Sequence, residues 1–369
     1  MKILHAVLSQ GFYGSERHCI ELATAQARAG RQVAVLIHDG ASHCARAFRD
    51  EVATTTAAIA EDGSVGRIRL IVMPGALPAL LQRPFALAVL IGFRPDIVHT
   101  HLNPAARRVG RVAQRIGIPH VATLHIRYEP REHARCDGLI CGAAWQRAEI
   151  GPEFRGVARV VWAWLPDAVH AALARVTPQE AVALRKSWNA DDRTVVLGSI
   201  GRLMPEKGMD ILIQAFRATF SQGTEPLRLI ILGVGPPEQE QALRRLADGD
   251  ARITLIGPQP EIAPFYLGFD VYVSAARFEP FGLTILEAMD AGCALVVTRT
   301  EGPREFLKDA NVSWAEPNDV ASLATQLHDA AARGRQRPAY DLSRFMRPQA
   351  VAAIEKFYGV VLARRNVSG

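Results

Sequence analysis

Lysine is nearly missing from this sequence. Of its 43 basic residues only five are lysines, Lys2, Lys186, Lys207, Lys308 and Lys356. Genome composition alone also yields an arginine-rich chain, but each rare lysine is then a position to explain. Cysteine is scarce as well. Cys19, Cys44, Cys136, Cys141 and Cys293 are odd in number, and their spacings match no zinc or redox motif. Reduced thiols fit that pattern, which excludes a disulfide scaffold and predicts a cytoplasmic protein. No long hydrophobic run exists. The longest, Phe85 to Phe93, falls far short of the roughly 20 residues that cross a bilayer. The opening MKILHAVLSQ lacks the extended apolar region and small-residue cleavage site of a signal peptide, and it reads as a buried first strand. The five tryptophans, Trp145, Trp162, Trp164, Trp188 and Trp314, are scattered as core or hinge residues are. They form no stacking platform for single-stranded nucleic acid.

What remains is an ordinary globular composition, 49% hydrophobic and 22% charged over 369 residues, which excludes disorder, collagen and coiled coil. At about 150 residues per domain, two domains of near-equal size fit best. The formal charge of +6 is uneven. Up to Pro166 there are 20 basic and 13 acidic residues; beyond it, 23 and 24. The whole positive excess lies in the first half, where an anionic partner is to be sought.

Short apolar runs alternate with helical patterns, the mark of βαβ units and parallel sheets. The first half predicts strands at Ile3–Leu8, Gln32–Ile37, Ile97–His101, Val121–Leu124 and Leu139–Cys141. It also predicts helices over Ser15–Ala29, closed by Gly30, and over Pro104–Ile116. The second half predicts strands at Thr194–Ile200, Leu227–Leu232, Ile253–Ile256, Val271–Ser274 and Ala294–Thr298. Helices near Met209–Phe220 and Glu238–Ala247 alternate with the first of these. The reading is α/β with two Rossmann-like domains, residues 1–166 and 167–347, and a final helix within 348–369 that packs back on the first domain. Ligands of such sheets bind beyond the carboxyl ends of the strands, so the two sheets are expected to face one cleft.

Two segments carry chemistry. In Arg277-Phe278-Glu279-Pro280-Phe281-Gly282-Leu283-Thr284-Ile285-Leu286-Glu287, two glutamates stand on a loop and on the helix that follows. Glu287 sits among apolar residues and needs a hydrogen-bonding partner; a ribose diol would serve. The helix start at Phe281, Gly282 and Leu283 offers backbone N–H groups to a phosphate. In Gly201-Arg202-Leu203-Met204-Pro205-Glu206-Lys207-Gly208, a strand's carboxyl end carries two cations suited to a diphosphate, without a metal. The bland alternatives are an amphipathic helix with a solvated Glu287 and a surface Glu206–Lys207 pair. Asp248-Gly249-Asp250 resembles a short metal motif, but between a helix and a strand it reads as a turn.

In this order and spacing, the two segments resemble the family 4 retaining glycosyltransferases of GT-B fold. Glu279 and Glu287 match the family's paired glutamates, and Arg202 and Lys207 match its Arg–Lys pair. Gly233-Val234-Gly235 looks like its glycine loop, and Thr298 to Phe306, with Glu305, like its last loop. Gly14-Ser15-Glu16 resembles the element opening the family's first helix, with Tyr13 where a glycine is usual. His99 and His101 fall in the fourth-strand pattern, and His125 matches the histidine near the sugar's anomeric carbon.

The resemblance implies transfer of a hexose from a UDP- or GDP-sugar to a glycan or glycolipid, with retention and with neither metal nor cofactor. Arg202, Lys207, Glu279 and His125 are then catalytic. Gly201, Gly233, Gly235, Phe281, Gly282, Leu283 and Glu287 hold the donor, and Gly14, Ser15, Glu16 and His101 lie on the acceptor side. The motifs are most similar to bacterial enzymes of lipopolysaccharide-core and envelope glycans. Arg107, Arg108, Arg111 and Arg115 on one helix are expected to meet an anionic acceptor or the cytoplasmic face of the inner membrane. Two rivals stand beside this reading: another GT-B enzyme such as a nucleotide-sugar epimerase, and a basic nucleic-acid-binding protein. No nucleic-acid-binding motif supports the second.

Overall fold

The computed structural model describes every residue except 10, 40–45, 47, 51, 55–66, 224, 309 and 369, together with the side chains of 366–368. It divides into two compact units, Met1–Trp164 with Arg347–Gly369, and Leu165–Met346.

The first unit is built on a seven-stranded parallel sheet: β1 (Lys2–Val7), β2 (Gln32–His38), β3 (Arg67–Met73), β4 (Ile97–His101), β5 (His120–Leu124), β6 (Gly138–Cys141) and β7 (Val157–Val160). Their spatial order is β3-β2-β1-β4-β5-β6-β7, so the chain reverses its direction of travel across the sheet between β1 and β4. Strand alternation puts Ile3, His5 and Val7 on one face of β1, beside Ile97, His99 and His101 of β4. The Gly14–Arg28 helix covers that face. Its Glu16 folds back to accept the Tyr13 N–H at 2.9 Å, which caps its start, and Gly30 ends it at φ 82°. The last helix, Arg347–Ser368, lies against the same face. Its Ile354, Phe357, Tyr358 and Val361 are buried with Ile3, Leu22, Ile97 and Trp164.

The second unit repeats the plan with β8 (Val195–Ile200), β9 (Leu227–Leu232), β10 (Ile253–Ile256), β11 (Val271–Ser274), β12 (Ala294–Thr298) and β13 (Val312–Ala315), in the order β10-β9-β8-β11-β12-β13. Again the order reverses beside the first strand, between β8 and β11. A buried Asp270 just before β11 accepts from Arg185 at 2.8 Å and from the Val196 N–H at 2.9 Å, which pins the two central strands together.

The ten predicted strands are all present. Three more were not anticipated: β3, β7 and β13, each at the edge of its sheet. VARV and VSWA are only four residues long and give little apolar signal, whereas RIRLIVM, seven residues with five apolar, carried a signal that was overlooked. The predicted Pro104–Ile116 helix is interrupted. Leu102–Ala105 and Arg111–Arg115 are α-helical, and Ala106–Gly110 between them is a π turn. The units divide after Trp164, whose indole N–H donates to Glu21 at 2.6 Å inside the first core. The Leu165 N–H already bonds to Phe345 in the second unit.

Candidate active site

In the second unit, loops from four strand ends are knitted together by backbone. The Leu203 N–H donates to Val234 at 2.9 Å, the Arg277 N–H to Glu206 at 2.8 Å and the Gly302 N–H to Glu279 at 3.0 Å. Glycines permit these approaches. A Cβ at Gly208 would lie 1.9 Å from the Ala275 carbonyl oxygen, and one at Gly233 would lie 1.9 Å from that of Gly201. A Cβ at Gly235 would lie 2.4 Å from the Leu203 carbonyl oxygen. Arg277 locks the set with two bonds to Asp210, at 2.7 and 2.8 Å, and a third to the Pro205 carbonyl. Burial raises the Asp210 carboxyl, but the Arg277 bonds and charge outweigh it and leave the group below its ordinary value.

Within this frame Lys207 Nζ reaches Glu279 Oε2 at 2.6 Å, across the point where the strand order reverses. Lys207 therefore does not pair with Glu206, which instead meets Arg202 at 3.0 Å in an exposed i,i+4 contact. Such surface pairs hold a side chain weakly. Gly282, at φ 112°, opens the Leu283–Asp290 helix; the Ile285 and Leu286 N–H groups bond to its carbonyl, and the N–H groups before them have no carbonyl of the helix to meet. Glu287 is 4% exposed, and its Oε2 accepts the Tyr266 hydroxyl at 2.6 Å. Burial, then the neighbouring Glu287, holds the Tyr266 hydroxyl well above its ordinary pKa. Tyr266 was not among the sequence-predicted residues; a separation of 21 positions carries no periodic signal. The Asp248–Asp250 segment is a turn, and Asp250 is bound by Arg252 through both oxygens.

In the first unit the equivalent strand ends carry histidines. His5, His99 and His101 are fully buried, and His18 is 9% exposed. A continuous chain of bonds links Gln26, His5, His101 and His125, while His99 bonds to Tyr358 and Thr123. Gln26 Oε1 lies 2.7 Å from His5 Nε2, His5 Nδ1 lies 3.1 Å from His101 Nε2, and His101 Nδ1 lies 3.1 Å from His125 Nε2. The Gln26 amide is oriented by donation from its Nε2 to the Tyr358 hydroxyl at 3.5 Å. An amide oxygen only accepts, so His5 carries its proton on Nε2. His5 Nδ1 must then accept from His101 Nε2–H, and His101 Nδ1 from His125 Nε2–H. His125 Nδ1 is left as a bare acceptor. Every ring in the chain is neutral. Burial lowers His5 and His125 to about 4, and burial with neighbouring imidazoles takes His99 and His101 well below their ordinary value. His18 stacks on Trp164 at 3.9 Å, edge-on to His125 at 5.2 Å, and its Nε2 is buried without a partner.

His5, Cys19 and His101 bring three metal-ligand atoms within 4.8 Å. The two nitrogens already share a proton at 3.1 Å, so the group reads as part of the hydrogen-bonded chain. Of the acceptor-side residues, Glu16 is engaged in its own helix cap and also accepts the Ser15 hydroxyl at 3.0 Å. Arg107 and Arg111 both bond to the buried Glu132, at 2.8 and 3.2 Å. Arg115 is exposed, and Arg108 lines a cavity of about 670 Å³ that His125 also lines. Cys44 lies outside the described residues; the other four cysteines are free and buried. Among the described residues no helix is long and apolar enough to cross a membrane.

Comparison with known proteins gives the class. The model for Glycosyltransferase Family 4 matches residues 12–196, half of the chain, and that for Glycosyl transferases group 1 matches residues 194–332. The chain belongs to glycosyltransferase family 4. A GDP-mannose-dependent alpha-mannosyltransferase of Mycolicibacterium smegmatis is 26% identical over 317 residues, 79% of this chain and 80% of that protein. A glycogen synthase of Rhodopirellula baltica is 30% identical over 167 residues, 42% of this chain but only 30% of that longer protein. Among solved structures, Anabaena HepE in complex with UDP and glucose superposes with a TM-score of 0.76 at 19% identity, over 98% of this chain and 100% of that one. WaaG, a glycosyltransferase involved in lipopolysaccharide biosynthesis, gives 0.66 at 14% identity over 89% and 90%. At these identities the likeness establishes the GT-B fold.

Proposed function

We propose that the protein is a retaining hexosyltransferase that takes a sugar from a UDP- or GDP-sugar and passes it to a glycan or glycolipid acceptor of lipopolysaccharide or envelope polysaccharide synthesis. The observation that carries this reading is the Lys207–Glu279 pair at the reversal of the second sheet. It sets a cation beside the Gly282 helix start, where a diphosphate is favoured twice over, by charge and by backbone N–H groups.

In this mechanism Arg202 and Lys207 stabilise the charge growing on the departing diphosphate. Gly201, Gly233 and Gly235 let the backbone come close to it, and Phe281, Gly282 and Leu283 offer it N–H groups. Glu279 orients Lys207 and meets sugar hydroxyls, while Glu287 holds the ribose. The family resemblance assigns His125 to the anomeric carbon, His101 bonds to His125 at 3.1 Å, and Gly14, Ser15 and Glu16 are assigned to the acceptor side. The bond from the anomeric carbon to the phosphate oxygen breaks as the acceptor oxygen bonds on the same face. The leaving phosphate oxygen takes the acceptor's proton. No metal enters the step, since two side-chain cations and a helix start balance the diphosphate. The relatives that use GDP-mannose and the neighbour bound to UDP support a nucleotide sugar as donor. WaaG supports the envelope-glycan setting. The reading puts the enzyme in the cytoplasm, peripheral to the inner membrane, with the exposed Arg107 and Arg115 towards anionic lipid.

Thermal-shift screening against UDP- and GDP-sugars, followed by product analysis with and without acceptor, tests it. The expected result is stabilisation by one nucleotide-sugar class and transfer only when an acceptor is present. Conversion of the sugar without acceptor points to an epimerase instead and overturns the transfer reading.

A further inference from the structure

We infer that the Ala79–Phe93 helix of the first unit is a membrane-docking surface, whose apolar outer face enters the interface of a bilayer carrying anionic headgroups. This rests on the peripheral-membrane reading above and adds to it the element that docks and the way it docks, by insertion rather than by charge alone. One side of the helix packs on the sheet, where Ala86 and Leu90 are buried with Leu4, Leu36 and Val98. Its opposite side is bare. Leu80, Leu81, Pro84, Ala88, Ile91 and Gly92 are all exposed, Leu80 at 85% and Ile91 at 59%. At 3.6 residues per turn these six fall within an arc of about 120°, and none of them is polar. A helix that is apolar all round belongs in a core or in lipid, and this one has a core on one side only. Leu80, Leu81 and Ile91 are three of the nine large hydrophobic side chains exposed among the described residues, and no other element carries two. The exposure is therefore a patch, not ordinary scatter.

The charges around the patch select the partner. From Arg67 to Pro95 the sequence has four arginines, Arg67, Arg69, Arg83 and Arg94, and no Asp or Glu. All four are exposed. Arg83 and Arg94 stand about three turns apart, and so on one edge of the apolar arc. Strand alternation puts Arg67 and Arg69 on the face of β3 that carries Ile71 and Met73, the face this helix covers. The Arg111–Arg115 helix packs alongside, and Arg115 and the following Ile116 are exposed. An apolar stripe with a basic rim and no acid is the composition of an interfacial helix, and each cation near an anionic surface strengthens the attachment. A second copy of the chain, docked on this face across a two-fold axis, would set arginine against arginine, which favours lipid over self-association. At about 22 Å the helix falls short of the roughly 30 Å hydrocarbon core, so it lies in the plane of the interface and does not cross.

The full chain is sedimented with phosphatidylcholine vesicles, with and without one third phosphatidylglycerol, at low and high salt, and its mass in solution is measured alongside. Wild type should bind the phosphatidylglycerol vesicles at least about tenfold more tightly than phosphatidylcholine at low salt, each arginine adding its share. Part of that binding should survive high salt, because salt screens charges but not apolar insertion. Leu80→Gln with Ile91→Gln should weaken it about tenfold or more at both salt levels, since two large apolar side chains no longer leave water. The melting temperature and the response to UDP and GDP should stay as in wild type, both side chains being exposed. Arg83→Gln with Arg115→Gln should reduce the preference for phosphatidylglycerol and leave phosphatidylcholine binding unchanged. Val182→Gln, at an exposed apolar position of the second unit, should behave as wild type. Should the double glutamine variant melt early, Leu80→Ala with Ile91→Ala keeps the helix propensity and should show the same loss. Vesicle binding undiminished in these variants overturns the inference and leaves the peripheral reading resting on charge alone. A dimer that Leu80→Gln with Ile91→Gln dissociates also overturns it, because a second copy then covers the face. No wild-type binding to either vesicle overturns both the inference and the peripheral reading. Failure of the transfer reading shows separately, as no response to either nucleotide.

Discussion

The two units share one sheet order but differ at the same point of it. Where β8 and β11 part, the second unit places full charges held by partners: Lys207 on Glu279, with Arg277 on Asp210 bracing the loops. Where β1 and β4 part, the first unit places neutral imidazoles bonded in series. Nine of the eleven histidines precede residue 165. The contrast separates two ways of presetting chemistry. A fixed cation stabilises an anion without waiting for solvent to reorganise. A neutral histidine chain fixes where each proton sits and resists any charge at all. The first suits a departing diphosphate, the second an uncharged hydroxyl being positioned.

The comparison breaks most sharply at Lys207. Lys207→Ala should lower transfer by about 10²–10³-fold, the usual cost of losing one preset charge donor, with the melting temperature little changed. Lys207→Arg should recover part of it. Turnover within threefold of wild type in Lys207→Ala would remove the phosphate role and leave the pair as a loop brace.

A pH titration sharpens the other side. The unfolded chain protonates its histidines below about 6.5, whereas folded His5 resists until about 4 and His120 until about 3. Their stability contribution is therefore complete above pH 6.5 and is lost as pH falls through that window. Between pH 7 and 5 the loss should be on the order of 2 kcal/mol for each of these two buried rings. Hydrogen exchange at β1, β4 and β5 should speed up across this range more than at β8 and β11. Equal acceleration in both sheets contradicts a histidine-specific cause.

Much of this contrast was legible in the sequence, and the reason differs by residue. Ten strands were found because central parallel strands are apolar on both faces. Of the four edge strands only β10 was found; β3, β7 and β13 were missed. Lys207, Glu279 and Glu287 stood out as charges at the ends of apolar runs. Their partners did not. Tyr266 meets Glu287, and Arg277 meets Asp210 to brace the loops, only through long-range packing, which no local period encodes. His5 was not singled out in the sequence, where it is one histidine in a buried strand. Its meaning depends on Gln26 and Tyr358, 21 and 353 positions away, and only the folded register shows it.

Glu287 tests whether a buried carboxylate serves the core or the ligand. Tyr266→Phe leaves Glu287 without its hydroxyl donor and should cost about 1–3 kcal/mol. Tyr266→Phe with Glu287→Leu removes both polar groups and should recover most of that stability while transfer stays lost. If the double variant binds UDP or GDP and transfers like wild type, Glu287 belongs to the core alone.

The smallest effect falls on the proton arrangement. Gln26→Leu deletes the amide oxygen that fixes His5, so His5, His101 and His125 lose their single imposed tautomer. The expected change is a fall in kcat of about tenfold, near the low end of acid–base contributions, with KM for the donor unchanged. Nitrogen-15 NMR reads the cause directly. In the wild type His125 should show a protonated Nε2 and a bare Nδ1, because the chain of acceptors from Gln26 permits no other assignment. In Gln26→Leu the two nitrogens should move towards each other in shift as the tautomers mix. A wild-type His125 protonated on Nδ1 would mean the chain runs the other way, with His5 Nδ1–H donating to His101, His101 Nδ1–H to His125, and His125 as the acceptor end of the series.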